Sequence, residues 1–144
     1  GLDGRAVTPA PSNMTVMPTE IWENRTSMTI ERREILANTG GAGQWRGGPG
    51  QEVVFRNDTG HLLELALMGQ RTEFPAKGLA GGGDGGLRRY EVNGEPVDPK
   101  ARIELSPGDR ITMREAGGGG YGDPTARDEH AVRLDQARGF VIGE

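Results

Sequence analysis

Among the side chains suited to acid–base or metal chemistry in this 144-residue sequence, His61 and His130 are the only histidines, the aspartates Asp58, Asp84, Asp109 and Asp123 sit in turn contexts, and there is no cysteine. His61 and His130 stand far apart, and neither belongs to a His-x-x-x-His or His-x-Asp pattern. A metal site built from this chain alone is therefore not expected, and both are read as surface or packing residues. Each of the four aspartates adjoins Gly, Thr or Pro, where a carboxylate caps a turn. Paired acid–base work is the alternative, although nothing in their spacing asks for it. Of Ser12, Ser27 and Ser106, none stands in a G-x-S-x-G nucleophile setting.

Glycine is the loudest signal, concentrated in three loops: 40–50, 78–86 and 117–122. Each loop lets backbone N–H groups approach a phosphate or carboxylate, because only Gly combines positive φ with close contact. Each is equally readable as a tight strand connection. Gly81, Gly83 and Gly86 fit G-x-G-x-x-G, but the following LRRYEV reads as a strand, whereas a dinucleotide fingerprint requires a helix there. No loop ends in Gly-Lys-Ser or Gly-Lys-Thr, so there is no P-loop. Trp45 and Arg46, framed by glycines, suit a binding surface or an anchoring contact. The competing reading, that Trp45 plugs the edge of a sheet, weighs about equally.

The elements that position these loops are short strands. SMTIERREI (27–35) puts Met28 and Ile30 on one face and Thr29 and Glu31 on the other, the period of two of a half-buried strand, with a helix as runner-up. EVVFR (52–56) is rich in β-branched and aromatic residues. LLELALM (62–68) is ambiguous between strand and short helix, its length and flanks favouring the strand. RYEV (89–92) leads into Asn93-Gly94, the preferred pair for a type I′ hairpin turn. ARIEL (101–105) and RITMR (110–114) alternate on either side of the turn Ser106-Pro107-Gly108-Asp109. The fold expected is mainly β, sandwich or barrel-like, with about seven short strands and one short C-terminal helix. That helix is capped by Asp123, with Pro124 at its first position, or by Asp128 a turn later. Ala131, Val132, Leu134 and Ala137 supply its narrow apolar stripe, and Gly139 its stop. The organisation expected is an extended lead-in over 1–18, a β-rich domain over 19–122, and a helical segment over 123–144 that reads as cut short. The first residue is Gly, which suggests a processed product or a piece of a longer chain.

Composition sharpens this picture. Gly and Pro number 25 and 9, while Leu, Ile, Val and Phe together make 27 of 144 residues, slightly under the roughly 20% that accompanies disorder in highly charged chains. The net charge is only -4, so the disorder criterion is half met, and the core is expected to be thin or completed by something else. No apolar run reaches membrane-spanning length, no secretory leader is legible, and the absence of Cys fits an intracellular compartment. A pI near 5.3 carries no electrostatic footprint for nucleic acid or an anionic membrane. The chain is expected to be soluble and cytoplasmic.

Four motifs, in order, carry a resemblance. NTGGAGQWRGGPGQEV (38–53) resembles the S-G-G-A-G-x-x-R-G-G-x-G stretch of the hydantoinase B/oxoprolinase family. MGQRTEFPAKGLAGG (68–82) is similar to its R-x-x-x-P-x-x-G-x-x-G-G segment. Leu105-Ser106-Pro107-Gly108-Asp109 and GGGGYGDPTARD (117–128) resemble its closing P-G-D and G-G-G-G-Y-G-D-P-x-x-R-D signature. The resemblance covers about residues 12–144 and matches only the C-terminal part of a much longer subunit. Ile142 stands where the family usually has Ser, and the helix that follows there is missing.

The resemblance implies the B-type subunit of an ATP-dependent 5-oxoprolinase or N-methylhydantoinase, or of an acetone or acetophenone carboxylase. By that resemblance ATP belongs to an A-type partner subunit, and a divalent metal to the N-terminal portion of the B-type subunit. No cofactor is expected on this chain, and no catalytic residue carries over. The partners implied are the A-type subunit and the remainder of the B-type subunit, with an oligomeric state. Trp45, Arg46, Gly118, Gly119, Gly120, Tyr121 and Asp123 are the candidates for contact with substrate or subunit. A free-standing β-rich binding or assembly module is the alternative of a different class.

Overall fold

The computed structural model describes residues 3–4 and 18–143, so the expected lead-in over 1–18 lies almost wholly outside the described residues. Seven strands form among them: β1 (Met28–Leu36), β2 (Gly50–Asn57), β3 (Leu63–Ala66), β4 (Arg89–Val92), β5 (Glu95–Val97), β6 (Arg102–Leu105) and β7 (Arg110–Arg114). All pairs are antiparallel. A five-stranded sheet runs in the order β1-β2-β7-β4-β5, and β3 pairs with β6 in a separate two-stranded sheet.

The alternation that marks these segments as strands also builds the core. Phe55 of β2, Tyr90 and Val92 of β4, and Ile111 and Met113 of β7 face the small sheet, which contributes Leu63, Leu65, Ile103 and Leu105. Leu105 and Ile111 are 0% and 1% exposed and sit at its centre. The intervening residues of the large sheet face outward as an ion-pair lattice. Glu52 bonds Arg32 and Arg114, Arg114 also reaches Glu91, and Glu31 joins Arg56 to Arg110. A bulge between Ile30 and Arg32 swings β1 within this lattice.

The turns follow their chemistry. Asn93 and Gly94 have φ of 51° and 87°, both positive as a type I′ hairpin requires, and join β4 to β5. Asp109 Oδ2 accepts the Ser106 N–H at 2.7 Å and closes the β6–β7 turn. Asn57, 0% exposed, ties the two sheets together. Its Nδ2 donates to the carbonyls of His61 and Leu105, both at 2.9 Å, while its Oδ1 accepts from Thr59 N and Oγ1 at 3.1 and 2.7 Å.

A helix, α1 (Thr19–Thr26), precedes β1 and adds to the single helix expected from the sequence. It has no buried residue and no side-chain cap, so neither stripe nor cap signals it. Trp22 holds it down, its ring centroid 4.7 Å from that of Phe55. Ser27, left-handed at φ 54°, ends it, and Glu23 Oε1 accepts the Ile30 N–H at 2.7 Å.

At the C-terminal end both caps are used. Asp123 accepts from Thr125 N at 2.8 Å and starts a short 3₁₀ turn over Pro124–Ala126. Asp128 accepts from His130 N and Ala131 N at 2.9 and 3.1 Å and starts α2 (Glu129–Ala137). The apolar stripe expected to seat α2 does not do so: Val132 and Leu134 are 37% and 36% exposed. The buried residue of the helix is Asp135. Gly139 at φ 71° stops the helix, and Val141 then packs inward. No helix among the described residues is long and apolar enough to cross a membrane.

Candidate functional site

The three glycine loops are not separate cradles; they pack on one another. Gly41 N donates to Gly118 O at 2.9 Å and Gly118 N to Gly48 O at 2.8 Å, joining the first loop to the third. Gly83 N reaches Ala42 O at 2.7 Å and Gly120 N reaches Gly83 O at 2.9 Å, drawing in the second. A Cβ on Gly47 would fall on the Gly118 carbonyl, and one on Gly120 on the Ala42 carbonyl. Close backbone approach, rather than left-handed geometry, demands glycine at these two positions. The N–H groups of Gly118 and Gly120 are thus taken up by neighbouring carbonyls and do not point at a ligand.

The bundle carries large side chains outward. Trp45 and Tyr121 are reciprocal partners, each N–H donating to the other's carbonyl at 2.9 Å. Leu79 lies beside Tyr121, its N–H on Gly120 O at 2.9 Å and its carbonyl accepting Gly122 N at 3.0 Å. Trp45, Tyr121 and Leu79 are 54%, 54% and 64% exposed. Trp45 therefore does not plug a sheet edge.

Arg46, expected to project alongside Trp45, turns inward instead. Its Nε bonds Asp135 Oδ2 at 2.8 Å, and its backbone N–H donates to Asp3 Oδ1 at 2.7 Å. Arg127 completes the cluster with Nη2 at 2.7 Å from Asp3 and 2.9 Å from Asp135. It also donates from Nε to Asp135 at 3.1 Å and from Nη1 to the Gln44 carbonyl at 3.0 Å. The residues on either side of Trp45 are thereby fastened to one buried charge cluster.

The electrostatics match this geometry. Burial works against ionisation of Asp3, but the Arg127 hydrogen bonds and the Arg46 N–H outweigh it and hold the carboxyl below its ordinary range. The same bond to Asp3, against opposing burial, raises the Arg127 guanidinium. Asp123 is exposed, and the Thr125 N–H and hydroxyl hold its carboxyl down, as suits a turn cap. Asp84 is likewise lowered by Lys77 and the Gly78 N–H.

His61 and His130 are both exposed, and no group of three or more His, Asp or Glu among the described residues could hold a metal ion. The open hollows among the described residues include one of about 400 Å³ beside Gly69–Phe74 and Lys100, and one of about 350 Å³ on the outer face of the large sheet between Glu31, Arg32, Arg110 and Thr112. Neither sets a nucleophile against a base. Of the candidate residues, the structure gathers Trp45, Tyr121 and the glycines 118–120 into one bundle tip and places Arg46 beneath it. Leu79, Asp3, Arg127 and Asp135 also belong to this assembly. Arg127 lies in the GGGGYGDPTARD motif, whereas Asp135, on the polar side of its helix by sequence, gives no signal.

One family model, hydantoinase B/oxoprolinase, matches residues 1–124. The chain is 30% identical over 131 residues to the beta subunit of the caprolactamase of Pseudomonas jessenii, covering 85% of this chain and 22% of that protein. It is 30% identical over 155 residues to the B-type subunit of a putative D-/L-hydantoinase from Pseudomonas sp. (strain NS671), covering 100% and 25%. To the 5-oxoprolinase of Saccharomyces cerevisiae it is 29% identical over 111 residues, covering 72% and 8%. Among solved structures, the ATP-dependent caprolactamase from Pseudomonas jessenii superposes with a TM-score of 0.72 at 24% identity, over 87% of this chain and 23% of that one. A nucleotide-free acetone carboxylase superposes with a TM-score of 0.60 at 21% identity, over 89% and 22%. These two likenesses establish a shared fold. The chain spans a quarter or less of the length of the relatives it matches. With residues 1–124 matched by that one model, the chain belongs to the hydantoinase B/oxoprolinase family.

Proposed function

We propose that this chain is a structural and subunit-contact region of the B-type subunit of an ATP-dependent cyclic-amide hydrolase, of the 5-oxoprolinase or N-methylhydantoinase kind. The observation that carries this reading is the packing of the glycine loops on one another: the Gly41, Gly83, Gly118 and Gly120 N–H groups, donors of the kind that stabilise an oxyanion, are bonded to carbonyls of other glycine loops. The acidic side chains of this assembly are engaged in the same way, Asp3 and Asp135 by Arg46 and Arg127, Asp84 by Lys77 and Asp123 by Thr125. ATP and a divalent metal then act in the complex outside these residues, with an A-type subunit as the ATP-binding partner. The relatives named as the beta subunit of a caprolactamase and the B-type subunit of a hydantoinase support an enzyme built from more than one kind of polypeptide.

A second reading, the same region of an acetone or acetophenone carboxylase, draws on the fold shared with acetone carboxylase. The two separate in one assay of the longer subunit with its A-type partner. The hydrolase reading predicts ADP release stimulated by 5-oxoproline, a hydantoin or caprolactam, with the open-chain amino acid as product. ADP release stimulated only by a ketone with bicarbonate would replace it with the carboxylase. Lactam hydrolysis by the isolated 144-residue chain would refute the structural role.

A further inference from the structure

We infer that Trp45, Leu79 and Tyr121 are the point at which the remainder of the same subunit polypeptide docks onto this region. The inference rests on the reading of the chain as part of a longer B-type subunit. It starts from rigidity: Trp45 and Leu79 each bridge to Tyr121 through paired backbone bonds. The neighbours of Trp45 are pinned as well, Gln44 by Arg127 and Arg46 by Asp3 and Asp135. Three large apolar side chains are thus held out to solvent on a backbone that has little freedom left to lose, the condition under which aromatic residues act as binding hot spots. The charged groups closest along the chain are already engaged, Lys77 with Asp84 and Asp123 with Thr125, so the surface that fits here is apolar.

Area decides the occupant. At roughly 150–250 Å² for a large side chain, the exposed fractions sum to roughly 300–400 Å², a size at which patches are functional. A free-standing complex needs about 800 Å² per partner. A second copy or a separate subunit meeting this patch alone would therefore bind weakly. A tethered segment needs less, because the linkage supplies an effective concentration in the millimolar range. In the caprolactamase, hydantoinase and 5-oxoprolinase relatives, the matched region is between 8% and 25% of one longer polypeptide, which makes a segment of the same chain the occupant they share.

The test compares the isolated chain with the longer encoded subunit, both with every tryptophan except Trp45 replaced by phenylalanine, so that Trp45 is the reporter. Acrylamide should quench Trp45 freely in the isolated chain, which should be monomeric by light scattering at about 20 μM. In the longer subunit quenching should fall several-fold. Trp45→Ala/Tyr121→Ala in that subunit should speed proteolytic release of this region by roughly 10-fold or more, as loss of two aromatic anchors implies. The same pair, being exposed, should leave the isolated chain's thermal midpoint nearly unchanged. Equal quenching in both proteins overturns the docking inference and leaves the B-type reading standing. So does protection that appears only on adding the A-type subunit, or a dimer of the isolated chain abolished by the double substitution. A reading frame that ends with these 144 residues overturns both.

Discussion

Replacing Arg127 with Met removes the guanidinium that bridges Asp3 and Asp135, and the structure sets the size of the effect. Arg127 makes two bonds to Asp3, two to Asp135 and one to the Gln44 carbonyl. Its side chain is 4% exposed, that of Asp135 9% and that of Asp3 29%. Stranding a fully buried charge costs about 3–5 kcal/mol. Asp135 is not stranded, because Arg46 Nε stays at 2.8 Å, and Asp3 can rehydrate. Losing the charge-assisted bonds to a buried carboxylate while one partner stays should cost about 2–3 kcal/mol. For a chain of this size that corresponds to roughly 5–10 °C in the thermal midpoint. Urea unfolding of the isolated chain followed by circular dichroism measures it. Arg127→Lys, which keeps the charge but loses the fork, should fall between wild type and Met. Because the cluster is shielded, the difference should persist in 0.5 M NaCl. A loss below about 0.5 kcal/mol, or one that vanishes in salt, would show that the cluster behaves as an ordinary surface pair.

Three further outcomes follow from the same geometry. Gly120→Ala drives a Cβ into the Ala42 carbonyl and should destabilise by about 1–3 kcal/mol or more, the range for overpacking, whereas Gly60→Ala, with open space around it but φ of 78°, should cost only about 1 kcal/mol in backbone strain; urea midpoints compare them. Asn57→Ala leaves the Leu105 carbonyl without its buried donor and should cost about 2–4 kcal/mol, read from the same curves. The pH profile should fall at both ends. The Tyr90 phenol is pushed up to about 12 by burial and by the nearby Glu115 carboxylate, so its contribution is complete below pH 10 and declines as the unfolded chain ionises between about 10 and 12. Tyr90→Phe should flatten that limb. The depressed Asp3 carboxyl contributes above its ordinary value of 3.8 and is lost as pH drops through the folded value, and Arg127→Met should blunt the acid limb in stability measured by urea titration at each pH.

How far the sequence reached depends on where its signals were local. The strands, the Asn93-Gly94 turn and the two aspartate caps could be read because alternation, turn chemistry and capping act over a few residues. Helix α1 could not, since one tertiary contact, Trp22 on Phe55, holds an otherwise unmarked segment. Helix α2 was legible as a helix but not in its orientation. A hydrophobic stripe predicts which face is buried only when apolar packing decides, and here a buried ion cluster centred on Asp135 decides. Arg46 turns inward for the same reason, and no local signal announces it, because its partner stands 89 residues away. For the glycine loops, composition left two readings open, a ligand cradle or tight backbone packing. Nothing local separates them, because glycines such as Gly41, Gly83, Gly118 and Gly120 find their partners in loops distant along the chain.

Amide hydrogen exchange at Gly41, Gly83, Gly118 and Gly120, resolved by NMR, tests the central claim most directly. If the loops exist to pack backbone on backbone, these amides should exchange as slowly as those of β2 and β7. Their protection should be unchanged by phosphate, ATP or 5-oxoproline at millimolar concentration. Exchange at the rate of open loops, slowing only when one of those ligands is added, would contradict the claim and return the glycines to the role of a ligand cradle.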